Sequence, residues 1–268
     1  MLDAYRAAGI AAVELGAADV DSDGDLVPRL RSLGLELLVH NYFPPPAEPF
    51  VLNLASADAD LRRRSLDHVL RALDLTAALG APFYSVHAGW ITDPVGFDGT
   101  SFVLPPPESP DDERRALERF VAALELAIDR ADALGVELLV ENHVFTEADR
   151  GKLLLAEPAD FPALFRRLEP RRLGLLIDTG HLNVTARTIG FDRLAFVDAV
   201  EPYVRAFHVH DNDGFADSHL PVGEGSWVLD VLARRELRAS TVVVEARLED
   251  ASALAEHVAW LRSRLAAR

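Results

Sequence analysis

The chain contains no cysteine, one methionine and a single lysine. Without cysteine it has no disulfide bonds, no thiolate metal ligands and no cysteine nucleophile. Basic side chains are scarce as a group, because 27 Lys and Arg stand against 43 Asp and Glu and leave a formal net charge of −16. A surface this acidic repels phosphate backbones, so extended nucleic-acid binding is disfavoured. Any metal site must therefore be built from imidazoles and carboxylates.

Long apolar runs are missing as well, and so is the basic-then-apolar pattern of a secretion signal at the N-terminus. We therefore expect a soluble, cytoplasmic protein with no membrane partner. A hydrophobic content of 49% allows a large core. The proline-rich stretches at residues 44–46 and 105–107 follow predicted strands and precede predicted helices, which is typical of stiff loops. No linker divides the chain, so we expect a single domain over residues 1–268.

Short apolar runs alternate with longer amphipathic stretches, which predicts repeated βα units and a parallel sheet. The predicted strands are residues 11–15, 35–39, 83–86, 137–140, 173–177, 204–209 and 241–244. Apolar residues at spacings of three and four predict helices over residues 61–79, 111–134, 158–168 and 251–267. Gly34, Gly80 and Gly135 follow leucines just before a strand, where glycine suits a left-handed helix C-cap.

This alternation predicts an α/β fold, a (β/α)8 TIM-type barrel in which only seven strands are evident. The chain begins with a helix-like stretch over residues 2–8 that leads into the first evident strand. The deficit therefore falls at the N-terminus. Two interpretations are open: the chain starts late, or the barrel is open at this point.

Most histidines fall at one predicted end of the sheet. Seven of nine lie at or just beyond the C-terminal ends of predicted strands: His40, His87, His143, His181, His208, His210 and His219. Three carboxylates, Glu141, Asp178 and Glu245, end further strands. In barrels of this type the active site is assembled at the C-terminal face of the strands. Their convergence predicts a metal site there.

The spacing of these residues suits metal binding. His208 and His210 are two residues apart in a predicted strand, so their side chains point to the same side. Asp217 and His219 repeat this spacing in the following loop, whereas His181 follows Asp178 at the turn that leaves a strand. Imidazoles with carboxylates suit Zn²⁺, Mn²⁺, Co²⁺ or Fe²⁺. For His208 we expect a position below the site or a supporting contact to a ligand.

Seven short segments carry a resemblance that spans nearly the whole chain: residues 39–43, 86–89, 140–142, 177–181, 210–213, 217–219 and 244–245. In this order they resemble the xylose isomerase-like TIM-barrel superfamily, which includes sugar isomerases, sugar epimerases and the endonuclease IV family. Each segment alone is weakly specific, whereas the ordered set is strongly specific. The resemblance implies a metal-dependent enzyme.

The resemblance implies two models of the site. In epimerase-like members one divalent ion is held at the positions of Glu141, Asp178, His210 and Glu245. In endonuclease IV-like members three zinc ions are held by nine ligands, whose counterparts are His40, His87, Glu141, Asp178, His181, His210, Asp217, His219 and Glu245. One to three ions per chain are therefore expected. The chain departs from the DNA-repair members in its acidity and lack of basic loops, and from ketose epimerases in lacking an arginine near residues 210–214.

The leading functional hypothesis is a sugar or sugar-phosphate isomerase or epimerase that acts through a metal-stabilised enediolate. In this hypothesis Glu141 and Glu245 bind the metal and transfer the proton beside the carbonyl, and His181 orients a hydroxyl. The alternatives are a multinuclear zinc phosphoesterase of the endonuclease IV-like type and a non-catalytic metal-binding barrel. The expected partner is a small sugar or sugar phosphate and no nucleic acid, with a homo-oligomer left open.

The net charge leads to a first prediction, that the protein does not bind duplex DNA appreciably at physiological salt. DNA-binding proteins normally present a basic face, and the loops of this chain offer none. Fluorescence anisotropy with labelled duplexes, one of them carrying an abasic site, measures the affinity at about 0.15 M salt. A sub-micromolar affinity for the abasic duplex would contradict the prediction and favour the phosphoesterase alternative.

Overall fold

A seven-stranded parallel sheet forms the centre of the computed structural model, which describes residues 1–16, 25–97, 102–168 and 172–268. The strands of this sheet are β1 (Ala12–Leu15), β2 (Glu36–His40), β3 (Phe83–His87), β6 (Glu137–Glu141), β7 (Leu173–Asp178), β8 (Val204–Val209) and β9 (Thr241–Val244). A separate antiparallel pair consists of β4 (Gly96–Phe97) and β5 (Phe102–Val103). Within the main sheet the strands are neighbours in chain order.

The sheet is a nearly closed TIM-type barrel. In the part of the chain that the structure describes, β1 and β9 are its two edges, and they are not paired with each other. Each predicted strand is present, with bounds that differ from the prediction by at most one residue. The prediction of an α/β TIM-type barrel with seven evident strands is therefore confirmed.

Helices connect the strands and cover the outside of the sheet. Their bounds are α1 (Leu2–Ala7), α2 (Leu26–Arg31), α3 (Ala59–Leu79), α4 (Asp112–Leu134), α5 (Asp160–Leu168), α6 (Thr179–Ile189), α7 (Arg193–Val200), α8 (Trp227–Leu232) and α9 (Ala251–Ala266). The four helices predicted from apolar periodicity correspond to α3, α4, α5 and α9. None of the helices in the described ranges is long and apolar enough to cross a membrane.

Two glycines end the longest helices as predicted. Gly80, after α3, has φ 76°, and Gly135, after α4, has φ 74°. Both conformations are left-handed, and glycine adopts them without the clash that a Cβ atom would cause. Each glycine turns the chain directly toward the next strand, β3 or β6. Because β3 and β6 pair in parallel, their C-terminal ends lie at the same face.

The register of the sheet brings several polar strand ends to the same level. His87 at the end of β3 pairs with Glu141 at the end of β6, and Asp178 at the end of β7 pairs with His208 on β8. Below this level the strands carry buried apolar residues, such as Leu139, Leu176 and Ala206. The polar residues therefore meet at the mouth of the barrel, above an apolar core.

The second prediction tests the packing of α4 with a matched pair of leucines. Leu124 is fully buried, whereas Leu126 on the same helix is 54% exposed. Leu124→Ala should lower the free energy of unfolding by about 2–5 kcal/mol, because it removes buried methyl groups and leaves a cavity. Leu126→Ala should change it by less than about 0.5 kcal/mol. Urea unfolding followed by circular dichroism measures both, and equal losses would contradict the burial of this face.

Candidate metal centre

All nine side chains named as ligands in the three-ion model of the site lie at the mouth of the barrel. His40, His87, Glu141 and Asp178 end strands β2, β3, β6 and β7. The others lie just beyond strand ends or in the loop that follows β8: His181, His210, Asp217, His219 and Glu245. The structure brings all of them into one cluster.

Glu141 is the centre of the first group, and its carboxylate is 1% exposed. Oε2 of Glu141 lies 3.7 Å from Nε2 of His40 and 3.6 Å from Nδ1 of His87. Oε1 lies 3.5 Å from Nδ1 of both His181 and His208. One buried carboxylate is thus surrounded by four imidazoles from different strands and loops.

The second group consists of Asp178, His210 and Glu245, whose ligand atoms all lie within 4.8 Å of one another. Oδ2 of Asp178 lies 3.0 Å from Nε2 of His210. The other oxygen, Oδ1, accepts a hydrogen bond of 2.7 Å from the backbone N–H of His181 and so caps α6. Both oxygens of Asp178 are therefore held in a fixed direction.

The third group forms in the loop between β8 and α8. Oδ2 of Asp217 lies 3.1 Å from Nε2 of His219 and 3.5 Å from Nε2 of His181, and Oδ1 lies 3.7 Å from Nδ1 of His210. The rings of His210 and His219 stack with centroids 4.0 Å apart. Adjacent groups share a member, because His210 belongs to both the second and the third.

Backbone contacts hold this loop against the strand ends. The backbones of Asp211 and Leu220 exchange two hydrogen bonds of 2.7 and 2.8 Å, so the loop closes on itself. Nδ1 of His219 lies 3.1 Å from the carbonyl oxygen of Glu245, and the N–H of Arg247 donates to the carbonyl of His219. These contacts attach the loop to the end of β8 and to the segment after β9, and they hold Asp217 in the cluster.

Two residues of the cluster were not singled out from the sequence as site residues. Glu14, on β1, lies with Oε2 2.7 Å from Nε2 of His208. The side-chain amide of Asn142 exchanges hydrogen bonds with the backbone of Asp178, and the backbone carbonyl oxygen of Asn142 lies 2.9 Å from Nδ1 of His181. The signal for Glu14 was an acidic residue inside an apolar strand. For Asn142 it was its position next to Glu141.

His143 supports the cluster from the side. Its ring is buried, contacts the carbonyl oxygen of Ala88 through Nε2, and stacks between His87 and Trp90 with centroid distances of 5.3 and 5.9 Å. Burial lowers the pKa of His143 to about 4 and that of His87 to about 3. Both imidazoles are therefore neutral near pH 7, and a neutral ring keeps a lone pair that can bind a metal ion.

The carboxylates of the cluster are held ionised by its histidines. Burial raises the pKa of Glu141, but the imidazoles of His87, His208 and His40 outweigh it and keep the pKa well below its ordinary value. Burial lowers the pKa of His181, but Asp178, Asp217 and Glu141 raise it to about 10. Without a metal ion, the His181 imidazolium therefore supplies the positive charge that balances these carboxylates, at a place where a bound cation could do the same.

Glu245 differs from the other carboxylates. Its side chain is 27% exposed, and burial, together with the negative charges of Asp178 and Glu141, raises its pKa against the opposing effect of His208. It is therefore the carboxylate of this cluster best suited to hold a proton at the mouth.

The donor set fits a divalent cation. Seven buried polar atoms of the cluster have no hydrogen-bond partner within the described ranges: Glu14 Oε1, His87 Nδ1, Glu141 Oε2, His208 Nδ1, His208 Nε2, His210 Nδ1 and Asp217 Oδ1. Buried polar atoms without partners are rare in native proteins and call for an explanation. Nitrogen and oxygen donors in groups of three within 4.8 Å are compatible with ligand distances of about 2.0–2.2 Å to a shared ion.

Comparison with known proteins places the chain in a family context. The model of one protein family, described as xylose isomerase-like TIM barrel, matches residues 2–264. Among curated proteins, fructoselysine 3-epimerase of Escherichia coli O157:H7 is 23% identical over 195 residues, which are 72% of this chain and 61% of that protein. Probable endonuclease 4 of Thermoplasma acidophilum is 26% identical over 218 residues, 75% of this chain and 68% of that protein.

A further curated relative, a protein of Methanocaldococcus jannaschii, is covered over 57% of its length. The chain therefore spans about three fifths of the length of this protein and of the epimerase. Among solved structures, a D-tagatose 3-epimerase-like protein has a TM-score of 0.71 at 20% identity, with 96% of this chain and 89% of that one covered. A Thermus thermophilus protein soaked with ZnCl₂ has a TM-score of 0.60 at 25% identity, with 96% and 97% covered.

The third prediction concerns the close approach of α6 to His210. A Cβ atom built on Gly180 would lie 1.9 Å from Cε1 of His210, so Gly180→Ala must displace the ring. We expect a loss of about 1–3 kcal/mol in unfolding free energy from overpacking, together with weaker Zn²⁺ binding by the metal-free protein. Gly223→Ala is the control, since its Cβ would meet nothing within 4 Å. Calorimetric titration with Zn²⁺ that gives equal affinities for the two variants would contradict the prediction.

Proposed function

Because the chain belongs to the xylose isomerase-like TIM-barrel family, we propose that it is a divalent-metal-dependent isomerase or epimerase that acts on a sugar or a sugar phosphate. The similarity to fructoselysine 3-epimerase and to the fold of a D-tagatose 3-epimerase-like protein supports this proposal. Geometry supports it through a cluster of carboxylates and imidazoles at the barrel mouth, where substrates of such barrels bind. The proposal treats residues 1–268 as one domain.

Glu141, Asp178, His210 and Glu245 would hold the primary ion in this proposal. Their donors are oxygen and imidazole nitrogen, which suit Zn²⁺, Mn²⁺, Co²⁺ or Fe²⁺. The bound ion would supply Lewis-acid polarisation of adjacent substrate oxygens. Ligand atoms of Asp178, His210 and Glu245 already lie within 4.8 Å of one another, and Glu141 shares a group with Asp178 and His208.

The partly exposed position of Glu245 at the mouth is the observation that carries the proposal, because an isomerase needs a group that accepts and returns the proton beside the carbonyl. Its carboxylate is accessible from the mouth, unlike the buried carboxylates of Glu141 and Asp178. Glu141 was expected to share this role. Its 1% exposure and its four imidazole neighbours also make it a ligand to the ion. In this proposal both glutamates transfer the proton, and Glu245 is the more exposed of the two.

His181 would orient a substrate hydroxyl. It lies on the first turn of α6, and its ring faces Glu141 through Nδ1 and Asp217 through Nε2. These contacts fix the ring between the first and third groups of the cluster. A ring held in this way can donate a hydrogen bond in a constant direction, which contributes to substrate positioning.

A second candidate, a multinuclear phosphoesterase, is favoured by the number of ligand groups. Two further groups of three, His40–His87–Glu141 and His210–Asp217–His219, adjoin the groups that contain Asp178 and share Glu141 or His210 with them. An epimerase with one ion has no need of them. Clustered ions can stabilise both the attacking and the leaving oxygen of a phosphoester. The acidity of the chain would restrict such an enzyme to small phosphoesters.

The fourth prediction separates these candidates by metal content. We expect one tightly bound ion per chain in an isomerase and two or three in a phosphoesterase, measured by plasma mass spectrometry of the purified protein. The variant Asp217→Ala/His219→Ala removes the third group. With one ion, this variant should keep its metal and lose mainly substrate affinity; with several, metal content and hydrolysis should fall together.

Turnover is measured with a panel of ketoses, ketose phosphates and phosphodiesters. Asp213→Ala, an exposed aspartate of the same loop, serves as the control and should change neither metal content nor turnover. If the double variant keeps both its metal content and its turnover, Asp217 and His219 take part neither in substrate binding nor in metal binding, and both proposed roles are wrong. If Glu245→Gln leaves ketose turnover unchanged, the assignment of proton transfer to Glu245 is wrong.

A further inference from the structure

A buried ion pair lies beside the proposed metal site and is used by neither candidate function. Glu14 on the edge strand β1 and His208 on β8, two strands that are not paired in the sheet, contact each other, with Oε2 of Glu14 2.7 Å from Nε2 of His208. Their side chains are 6% and 1% exposed. A buried carboxylate and a buried imidazole are costly to remove from water unless they are paired, so this contact needs a reason.

The other face of the same imidazole is directed at the site. Nδ1 of His208 lies 3.2 Å from Oε1 of Glu245 and 3.5 Å from Oε1 of Glu141. Oδ2 of Asp178 is farther away, at 4.0 Å. His208 therefore stands between one carboxylate that lies outside the cluster of proposed ligands and two that belong to it.

The short contact argues against a further ion between Glu14 and His208. Together with His40 they form a group of three potential ligands within 4.8 Å. Two ligands at about 2.0–2.1 Å from one ion in tetrahedral geometry lie about 3.3 Å apart. The observed 2.7 Å is a direct ion-pair contact, shorter than this spacing and than the 3.0 Å between Asp178 and His210, although Nε2 of His208 has no aligned hydrogen-bond partner within the described ranges.

We infer that Glu14 and His208 are a positioning pair: Glu14 fixes the His208 ring, and the ring holds the carboxylates of Glu245 and Glu141 in the orientation that binds the primary ion. This inference rests on the proposed function, which assigns these two carboxylates to the metal. The order of contacts runs from β1 through β8 to the ends of β9 and β6. The pair thereby ties the edge strand β1 to the site.

A contact of this kind has a measurable effect. Partners that orient metal ligands typically change metal affinity by about 10–100-fold when they are replaced. Glu14→Gln keeps the size of the side chain but removes its charge, so it should weaken Co²⁺ binding by about 10–100-fold. Glu36→Gln is the matched control: it removes the same charge from an exposed glutamate at the start of the neighbouring strand β2 and should leave the affinity unchanged.

Two amide variants of His208 test the two sides of the ring separately. The amide of Asn lies near the position of Nδ1 and keeps a hydrogen-bonding group toward Glu245 and Glu141. The amide of Gln lies near Nε2 and keeps only the contact to Glu14. Since the contact to the carboxylates of the site sets their orientation, His208→Gln should lose more Co²⁺ affinity than His208→Asn.

Calorimetric titration of the metal-free full chain with Co²⁺ gives the affinity, and the visible absorption of bound Co²⁺ reports its donor atoms. Weaker binding with an unchanged spectrum supports the positioning role. Unchanged affinity in Glu14→Gln and in both His208 variants would overturn it, as would a spectrum that loses a nitrogen ligand, since His208 would then bind the ion itself. A wild-type chain that binds no Co²⁺ overturns the proposed function, and this inference with it, whereas normal wild-type binding with unaffected variants overturns the inference alone.

Discussion

Repulsion between carboxylates at the mouth of the barrel is the constraint on which the rest of the site depends. Glu141, Asp178, Asp217 and Glu245 lie close together, and the first two are almost completely removed from solvent. In such surroundings like charges repel strongly, and each needs a compensating positive charge. In the protein alone, the His181 imidazolium, whose pKa is raised to about 10, provides part of this charge, and a divalent ion could take over that role. The dense mixture of imidazole and carboxylate follows from this need.

The parallel sheet places these carboxylates and histidines together at the barrel mouth. Because the seven strands are parallel, they end at the same face, and side chains at or just beyond these ends build the cluster together with Asp217 and His219 of the following loop. The period of two along β8 adds depth, since His208 and His210 point to the same side at two different levels. His210 then faces Asp178 and Asp217, whereas His208 faces Glu14 through Nε2 and Glu141 and Glu245 through Nδ1.

Much of the fold could be predicted, because it depends on local patterns. Apolar runs and C-terminal glycines indicated the strands and the long helices. The start of α6 was not predicted, because Asp178 both ends β7 and caps the helix, and no loop separates them. In the site, residue types at strand ends identified the cluster. The pairing of Glu14 with His208 could not be predicted, because it depends on a contact between strands that are far apart in the sequence.

The two oxygens of Asp178 have different tasks, and this division has a thermodynamic consequence. Oδ1 holds the first turn of α6, while Oδ2 faces the proposed ion beside His210. An ion bound by this carboxylate would reduce its freedom to rotate away from the helix. Occupancy of the site and closure of the first helical turn are then linked equilibria, each favouring the other by the same free energy. Ion release would loosen the start of α6, and with it the position of His181.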